Sequence, residues 1–124
     1  MIAHTSLSVS DYKSAKAFYT KVLGAIGYTQ NMEYGEAAGF NDGKNTDFWI
    51  NRLESKATLP GHVAFEVKSK EAVDAFYKAA LEAGAKDNGA PGYRKEYWPG
   101  YYAAFAYDTD GHNLEAVYFD YDAK

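Results

Sequence analysis

The chain repeats itself. Displaced by 58 positions, His4-Thr5-Ser6-Leu7-Ser8-Val9 lies over His62-Val63-Ala64-Phe65-Glu66-Val67. At the same displacement Ala17-Phe18-Tyr19 lies over Ala75-Phe76-Tyr77, Leu23 over Leu81 and Ala25 over Ala83. Farther on the displacement becomes 68, which sets Asp42-Gly43 over Asp110-Gly111 and Asp47 over Glu115. The change implies about ten extra residues in the second half, within Asp87 to Tyr102. A repeat of this length is one supersecondary unit that cannot bury its apolar face alone, so two copies must pack together.

Each copy has the same grammar. Residues 2–9 alternate like a strand. Asp11 can cap a helix over 12–24, whose Ala15, Phe18, Tyr19, Val22 and Leu23 fall on one face and which Gly24 and Gly27 end. Strands are expected near 28–34, 36–41 and 46–51, with turns at Gly35 and Asp42-Gly43. The second copy reads as a strand over 61–67 and a helix over 70–84 with Val73, Phe76, Tyr77, Ala80 and Leu81 on its apolar face. Strands then follow near 86–89, 101–107 and 112–119. The prediction is an α+β fold of two βαβββ modules, forming a curved, cup-like mixed sheet with helices outside. Residues 1–124 make one domain, with module 1 over 1–52, a linker over 53–60 and module 2 over 61–124.

Composition narrows the function classes. At 124 residues the chain has room for one core. It has no cysteine, which excludes disulfides, thiol catalysis and Cys-based metal sites. A net charge of −4 without a basic cluster argues against a nucleic-acid partner. No apolar run is long enough to span a bilayer, and no signal-peptide pattern is visible, so a cytoplasmic protein with no membrane partner is expected.

Strand alternation decides which side chains share a face. Thr5, Leu7 and Val9 should meet the first helix, leaving His4, Ser6 and Ser8 opposite. In the matching strand Val63, Phe65 and Val67 face the helix, and His62, Ala64 and Glu66 the other way. Asp47, Trp49 and Asn51 share a face, as do Asn113, Glu115 and Val117. Each module thus offers one histidine and one carboxylate on its open face. If the two sheets curve around one cup, His4, Asp47, His62 and Glu115 can converge. Two imidazoles with one or two carboxylates suit a divalent ion such as Zn, Ni, Mn or Fe. The alternative is that the histidines and carboxylates are ordinary strand-surface residues.

The whole chain resembles the vicinal oxygen chelate superfamily, which includes glyoxalase I, bleomycin-resistance proteins and extradiol dioxygenases. His4-Thr5-Ser6-Leu7-Ser8-Val9-Ser10-Asp11 with Ala17-Phe18-Tyr19-Thr20-Lys21-Val22-Leu23-Gly24 is similar to a glyoxalase I opening. Gly61-His62-Val63-Ala64-Phe65-Glu66-Val67 resembles the start of the second module, and Asp108-Thr109-Asp110-Gly111-His112-Asn113-Leu114-Glu115 the shared ending. The resemblance implies that His4, His62 and Glu115 are metal ligands and that Asp47 stands where glyoxalase I has a glutamate. It also implies Glu115 as the catalytic base of a proton-shuttling lyase or isomerase, and Asn51 as a substrate contact. Ser8 replaces the arginine that clamps the glutathione carboxylate in that enzyme, so glutathione hemithioacetal is not the expected substrate.

The segment Gly89–Tyr102 has no counterpart in the first module. Read functionally, it is a lid or pocket wall in which Tyr97, Trp98 and Tyr101 stack on a ligand beside Trp49, while Arg94 or Lys95 meets an anionic group. Read structurally, it is a packed loop or dimer contact. His112, after the Asp-Gly turn, is expected at the surface. Three functions remain open. They are a glyoxalase-like metal-dependent lyase or isomerase of a small oxygenated substrate, a metal-free drug-resistance-type binding protein, and an extradiol-type dioxygenase using His4, His62 and Glu115 around Fe(II). A homodimer is expected in each case.

Overall fold

A computed structural model of the chain describes residues 2–53 and 60–123. In the first module β1 (Thr5–Val9) leads into α1 (Tyr12–Gly24), followed by β2 (Thr29–Tyr34), β3 (Ala37–Asn41) and β4 (Thr46–Arg52). The second has β5 (His62–Glu66), α2 (Lys70–Glu82), β6 (Lys86–Asp87), β7 (Gly92–Tyr93), β8 (Tyr101–Tyr107) and β9 (Asn113–Phe119). Residues 54–59 of the expected linker lie outside the described residues.

The α+β modules of the sequence reading are present. Each has its own mixed sheet, ordered β1-β4-β3-β2 in the first and β5-β9-β8-β6 in the second, with β7 also on β8. In both, the first strand runs parallel to the last, β1 beside β4 and β5 beside β9. Asp11 caps α1 by accepting from the Ser14 N–H at 3.1 Å, and Ser69 caps α2 by accepting from Ala72 N–H at 3.1 Å. Gly27 (φ 93°) and Gly84 (φ 102°) turn the chain out of each helix through left-handed backbone.

One core joins the modules. Val22, Leu23, Phe40, Phe48 and Ile50 of the first pack in the same cluster as Phe65, Val73, Phe76 and Leu114 of the second. Phe48 meets the Phe65 ring edge-on, with centroids 5.3 Å apart. Both helices lie on the core side, so the opposite faces of the two sheets carry no helix, although Ala103, Glu115 and Val117 on that face of the second sheet are buried.

Several expectations need correction. His112 is not a surface residue but buried, 2% exposed, at the seam between modules. Its Nδ1 accepts from the Gly61 N–H at 2.8 Å, so its Nε2 carries the proton and donates to the Ser8 carbonyl at 2.6 Å. Asp-Gly turns usually sit at the surface, but here the turn docks on the other module through Ser10 N–H to Asp110 and Tyr19 OH to Asp108. Leu81, expected on the buried face of α2, is exposed, and Ala79 is buried in its stead. That rotation centres the buried stripe on Phe76 and Ala80. Thr5 is also exposed, since only Leu7 and Val9 of β1 reach the core.

Candidate metal centre

The parallel register of β5 on β9 sets Ala64 opposite Glu115 and His62 opposite Asn113. His62 and Glu115 are therefore diagonal neighbours on the open face of the second sheet. His62 Nε2 lies 3.1 Å from Glu115 Oε1, and the Glu115 side chain is almost wholly buried while His62 is half exposed. The other ring nitrogen, Nδ1, lies 3.0 Å from the Asn113 carbonyl oxygen.

This arrangement has a chemical consequence. A carbonyl oxygen only accepts, so Nδ1 must carry a proton. Nε2 then faces a carboxylate, which also accepts when ionised. The gap between Nε2 and Oε1 must hold a proton, and a divalent ion could take its place. Two donors 3.1 Å apart suit an ion bound at roughly 2.0–2.2 Å by each. A ligating histidine whose second nitrogen donates to a backbone carbonyl is the usual supporting arrangement. His62 and Glu115 thus offer two donors to a metal, one short of the three protein ligands of a catalytic centre.

The pair sits in an aromatic frame. Phe105, directly opposite Glu115 on β8, stacks beside His62 with centroids 6.5 Å apart and planes 21° apart. The Arg94 guanidinium lies 5.4 Å from the centre of the Phe105 ring. It is turned back on its own loop, donating to the Gly92 carbonyl at 2.9 Å and the Ala90 carbonyl at 2.8 Å. Tyr101 donates its hydroxyl proton to Glu115 Oε2. Burial, and then this bond to the carboxylate, push the Tyr101 phenol above its usual titration range. Tyr97 meets the Tyr101 ring edge-on, and Trp98 packs on Phe119 and Tyr121. The tyrosine-rich segment is therefore a packed wall on the open face, with Tyr97 its most exposed ring.

The other candidates stand elsewhere. His4 is exposed and has no hydrogen bond or ion pair among the described residues. Asp47 accepts from Tyr28 OH at 3.2 Å. Its second oxygen is buried without a hydrogen-bond partner, and burial raises its carboxyl above the usual range. Among the described residues no three histidine or carboxylate side chains come together.

Register explains why Asp47 does not mirror Glu115. Ser6 pairs with Trp49 on β4, whereas Ala64, its counterpart in the repeat, pairs with Glu115. The residue equivalent to Glu115 is therefore Trp49. The first module has two more residues between turn glycine and this position, Gly43 to Trp49 against Gly111 to Glu115. One of them is absorbed at an irregularity beside Asp47, where Phe40 pairs with Phe48 but Asn41 with Thr46. Such a bulge re-aims a side chain. Trp49 stacks on Tyr34 and lies against Gly39, where a Cβ would come within 2.8 Å of the indole. Asn51 is half-buried on the same strand.

The sequence reading missed Tyr101 as the partner of Glu115, and it missed Phe105. The available signal was alternation along β8, which sets 101, 103 and 105 on one face. Asp47 and His62 do border one cleft of about 520 Å³ that opens between the modules. Asp42 and Glu66 add two carboxylates to its lining, Tyr28, Phe48 and Phe65 its aromatic walls, and among the described residues no lysine or arginine lines it.

A family model described as Glyoxalase/Bleomycin resistance protein/Dioxygenase superfamily matches residues 1–116. The chain belongs to that superfamily. Its members include glyoxalase-, dioxygenase- and fosfomycin-resistance-type enzymes; they typically use divalent metals, bind small molecules and often form dimers. No curated protein matched the chain. Among solved structures, a glyoxalase/bleomycin resistance protein from Albidiferax ferrireducens T118 is similar at TM-score 0.82 and 24% identity, over 94% of this chain and 97% of that one. A superfamily enzyme from Burkholderia phytofirmans PsJN is similar at TM-score 0.74 and 20% identity, covering 96% and 98%. The fosfomycin resistance protein FosX of Listeria monocytogenes was solved as an E126Q mutant with Mn(II) and 1S,2S-dihydroxypropylphosphonic acid. It is similar at TM-score 0.69 and 19% identity, covering 94% and 88%. These likenesses carry the superfamily fold. Among the described residues no helix is long and apolar enough to cross a membrane.

Proposed function

We propose that this protein is a glyoxalase-like, divalent-metal-dependent lyase or isomerase of a small oxygenated substrate other than glutathione hemithioacetal, working as a cytoplasmic homodimer. The single observation that carries the reading is His62, both of whose ring nitrogens face acceptors beside the buried carboxylate of Glu115. The ion would be held by His62 and Glu115 of one copy with His4 supplied by a second. Asp47, bound by Tyr28, stands outside that set. The metal, when bound, supplies Lewis-acid polarisation of substrate oxygens. Glu115 takes and returns the proton between adjacent substrate carbons, with its carboxylate oriented by Tyr101. Trp49, on the open face of the first module, forms an apolar wall for the ligand, and Tyr97 and Trp98 line the rim of the second.

The test is titration of chelated protein with Mn(II) or Zn(II), followed by calorimetry. Wild type should bind an ion, and Glu115→Gln and His62→Ala should each lose it. Mixing His4→Ala with His62→Ala should restore part of the binding, because a mixed dimer contains one intact site. No binding by wild type would defeat the proposal.

A second reading is favoured by the acidic cleft. Three carboxylates and aromatic walls, with no lysine or arginine among the described lining residues, suit a cationic aromatic ligand held without a metal, as in a drug-resistance-type binding protein. In that case a combined His4→Ala, His62→Ala variant keeps its ligand affinity, while Asp47→Asn loses it. The extradiol-type dioxygenase would use the same His4, His62 and Glu115 with Fe(II). Ring cleavage of a catechol by iron-loaded protein would favour it over the lyase.

A further inference from the structure

The edges of the two sheets are not alike. On β1 the Val9 carbonyl accepts from Leu53 N–H on the β4 side, so the even-numbered residues turn their backbone groups outward. Of these, the Ser8 carbonyl is taken by His112 and the Ser10 N–H by Asp110. β2 slips register between Gln30 and Met32, and β6 and β7 are two residues each. β5 differs from all of them. It runs five residues in unbroken register with β9, holds no proline, lysine or bulge, and has no neighbour on its other side among the described residues. Sheets usually blunt such an edge, because a row of unpaired backbone groups is a template for another strand.

The cleft between the modules follows this edge. All five residues of β5 line it, although successive side chains point to opposite faces of the sheet. Only a cleft that opens along the side of the strand meets both sets. The Gly61 carbonyl accepts from Asn113 N–H at 2.9 Å, and Val67 N–H donates to the Val117 carbonyl at 2.8 Å, so the odd-numbered residues bond β9. The N–H and C=O groups of His62, Ala64 and Glu66 therefore point away from β9, into the cleft. The facing wall carries Asp42 and Asp47, and one buried oxygen of Asp47 has no hydrogen-bond partner among the described residues. Glu66 adds a third carboxylate, and no lysine or arginine stands among the described lining residues.

We infer that the free edge of β5 binds an extended peptide segment bearing lysine or arginine side chains, which joins the second sheet as a further strand. The inference goes beyond both readings above and needs no metal. Main-chain bonds to His62, Ala64 and Glu66 supply affinity, and alternate side chains supply specificity. Charge selects the partner, since an acidic strand would meet three carboxylates while a basic one pairs with them. A second copy of the chain is a poorer occupant. Its β1 edge is capped by its own second module and its β2 edge is bulged. Its β5 would bring one acidic cleft against another.

Calorimetry with an end-capped heptapeptide of alternating lysine and valine tests this. Shifted by one residue, the peptide offers its lysines to either wall of the cleft. Wild type should bind it and should not bind the glutamate–valine counterpart. Asp47→Asn combined with Glu66→Gln should weaken binding at least about tenfold through the lost charged bonds. Methylating every backbone nitrogen of the peptide keeps its charge and removes its main-chain donors, and should weaken binding at least about tenfold as well. Amide exchange places the strand. Ala64 and Glu66 N–H should exchange fast in the free protein and slow with peptide bound, while those of Val63 and Phe65, which face β9, stay slow throughout. A methylated peptide that binds as well as its parent overturns the inference and leaves the cationic-ligand reading standing. An Ala64 N–H already protected without peptide also overturns it, because a second copy then holds the edge. So does a wild type that binds no peptide, and titration of that same protein with Mn(II) still decides the metal reading.

Discussion

His112 Nε2 donates to the Ser8 carbonyl at 2.6 Å, a bond that ties the end of the second repeat to the first strand of the first. The other ring nitrogen accepts from the Gly61 N–H at 2.8 Å. One buried imidazole thus satisfies a half-buried donor and a half-buried acceptor that belong to different modules. His112→Ala leaves both without partners and opens a void. It should lower stability by about 2–4 kcal/mol. Urea unfolding of the two proteins checks this, and equal midpoints would contradict it.

Tyr19 crosses the same seam. Its buried hydroxyl donates to Asp108, which is itself buried and also accepts from His112 N–H at 2.8 Å. Tyr19→Phe keeps the ring contacts with Phe18 and Phe48 but strips Asp108 of one partner. The expected cost is about 1–3 kcal/mol at neutral pH, measured by thermal or chemical denaturation.

Stability should fall at alkaline pH. Burial, followed by a bonded carboxylate, pushes Tyr12 and Tyr102 up to about 12, and Tyr19 well above its ordinary value near 10. Tyr28 and Tyr101 are raised for the same two reasons. A group whose folded value is raised stabilises fully below its unfolded value and loses that contribution as pH climbs toward the folded one. The native state should therefore hold steady below about pH 10 and weaken between about 10 and 12. The share of the 295 nm phenolate absorbance that belongs to these five tyrosines should rise together with unfolding rather than before it.

Gly39 tests the aromatic face of the first sheet. A Cβ at 39 would lie 2.8 Å from both the Trp49 indole and Thr46. Gly39→Ala should displace the indole and cost about 1–3 kcal/mol. A shift in Trp49 emission, read in a Trp98→Phe background, reports the displacement. Unchanged emission would show that the indole does not rest on Gly39.

The repeat, the helix spans and the open-face positions of His62 and Glu115 could be read from the chain because they depend on local periodicity. Helix spacing, turn glycines and strand alternation are properties of neighbouring residues, and α1 formed over the expected 12–24. Alternation also set Glu115 on the face of Asn113 and Val117, where it lies. What alternation cannot count is a bulge. One extra residue beside Asp47 redirected that carboxylate toward Tyr28 and left Trp49 at the position that mirrors Glu115. Likewise the Asp-Gly turn before His112 carries no local sign that another module will cover it.

By itself, the sequence determined that two copies of one βαβββ unit must share a core, and which strands carry histidine and carboxylate. Only the tertiary structure decided the pairings across strands and modules. His62 met Glu115, Tyr101 crossed Ala103 to reach the same carboxylate, and His112 closed the seam. These bonds join residues far apart in the chain. Their formation depends on strand register and on how two apolar faces dock, which no short-range pattern records.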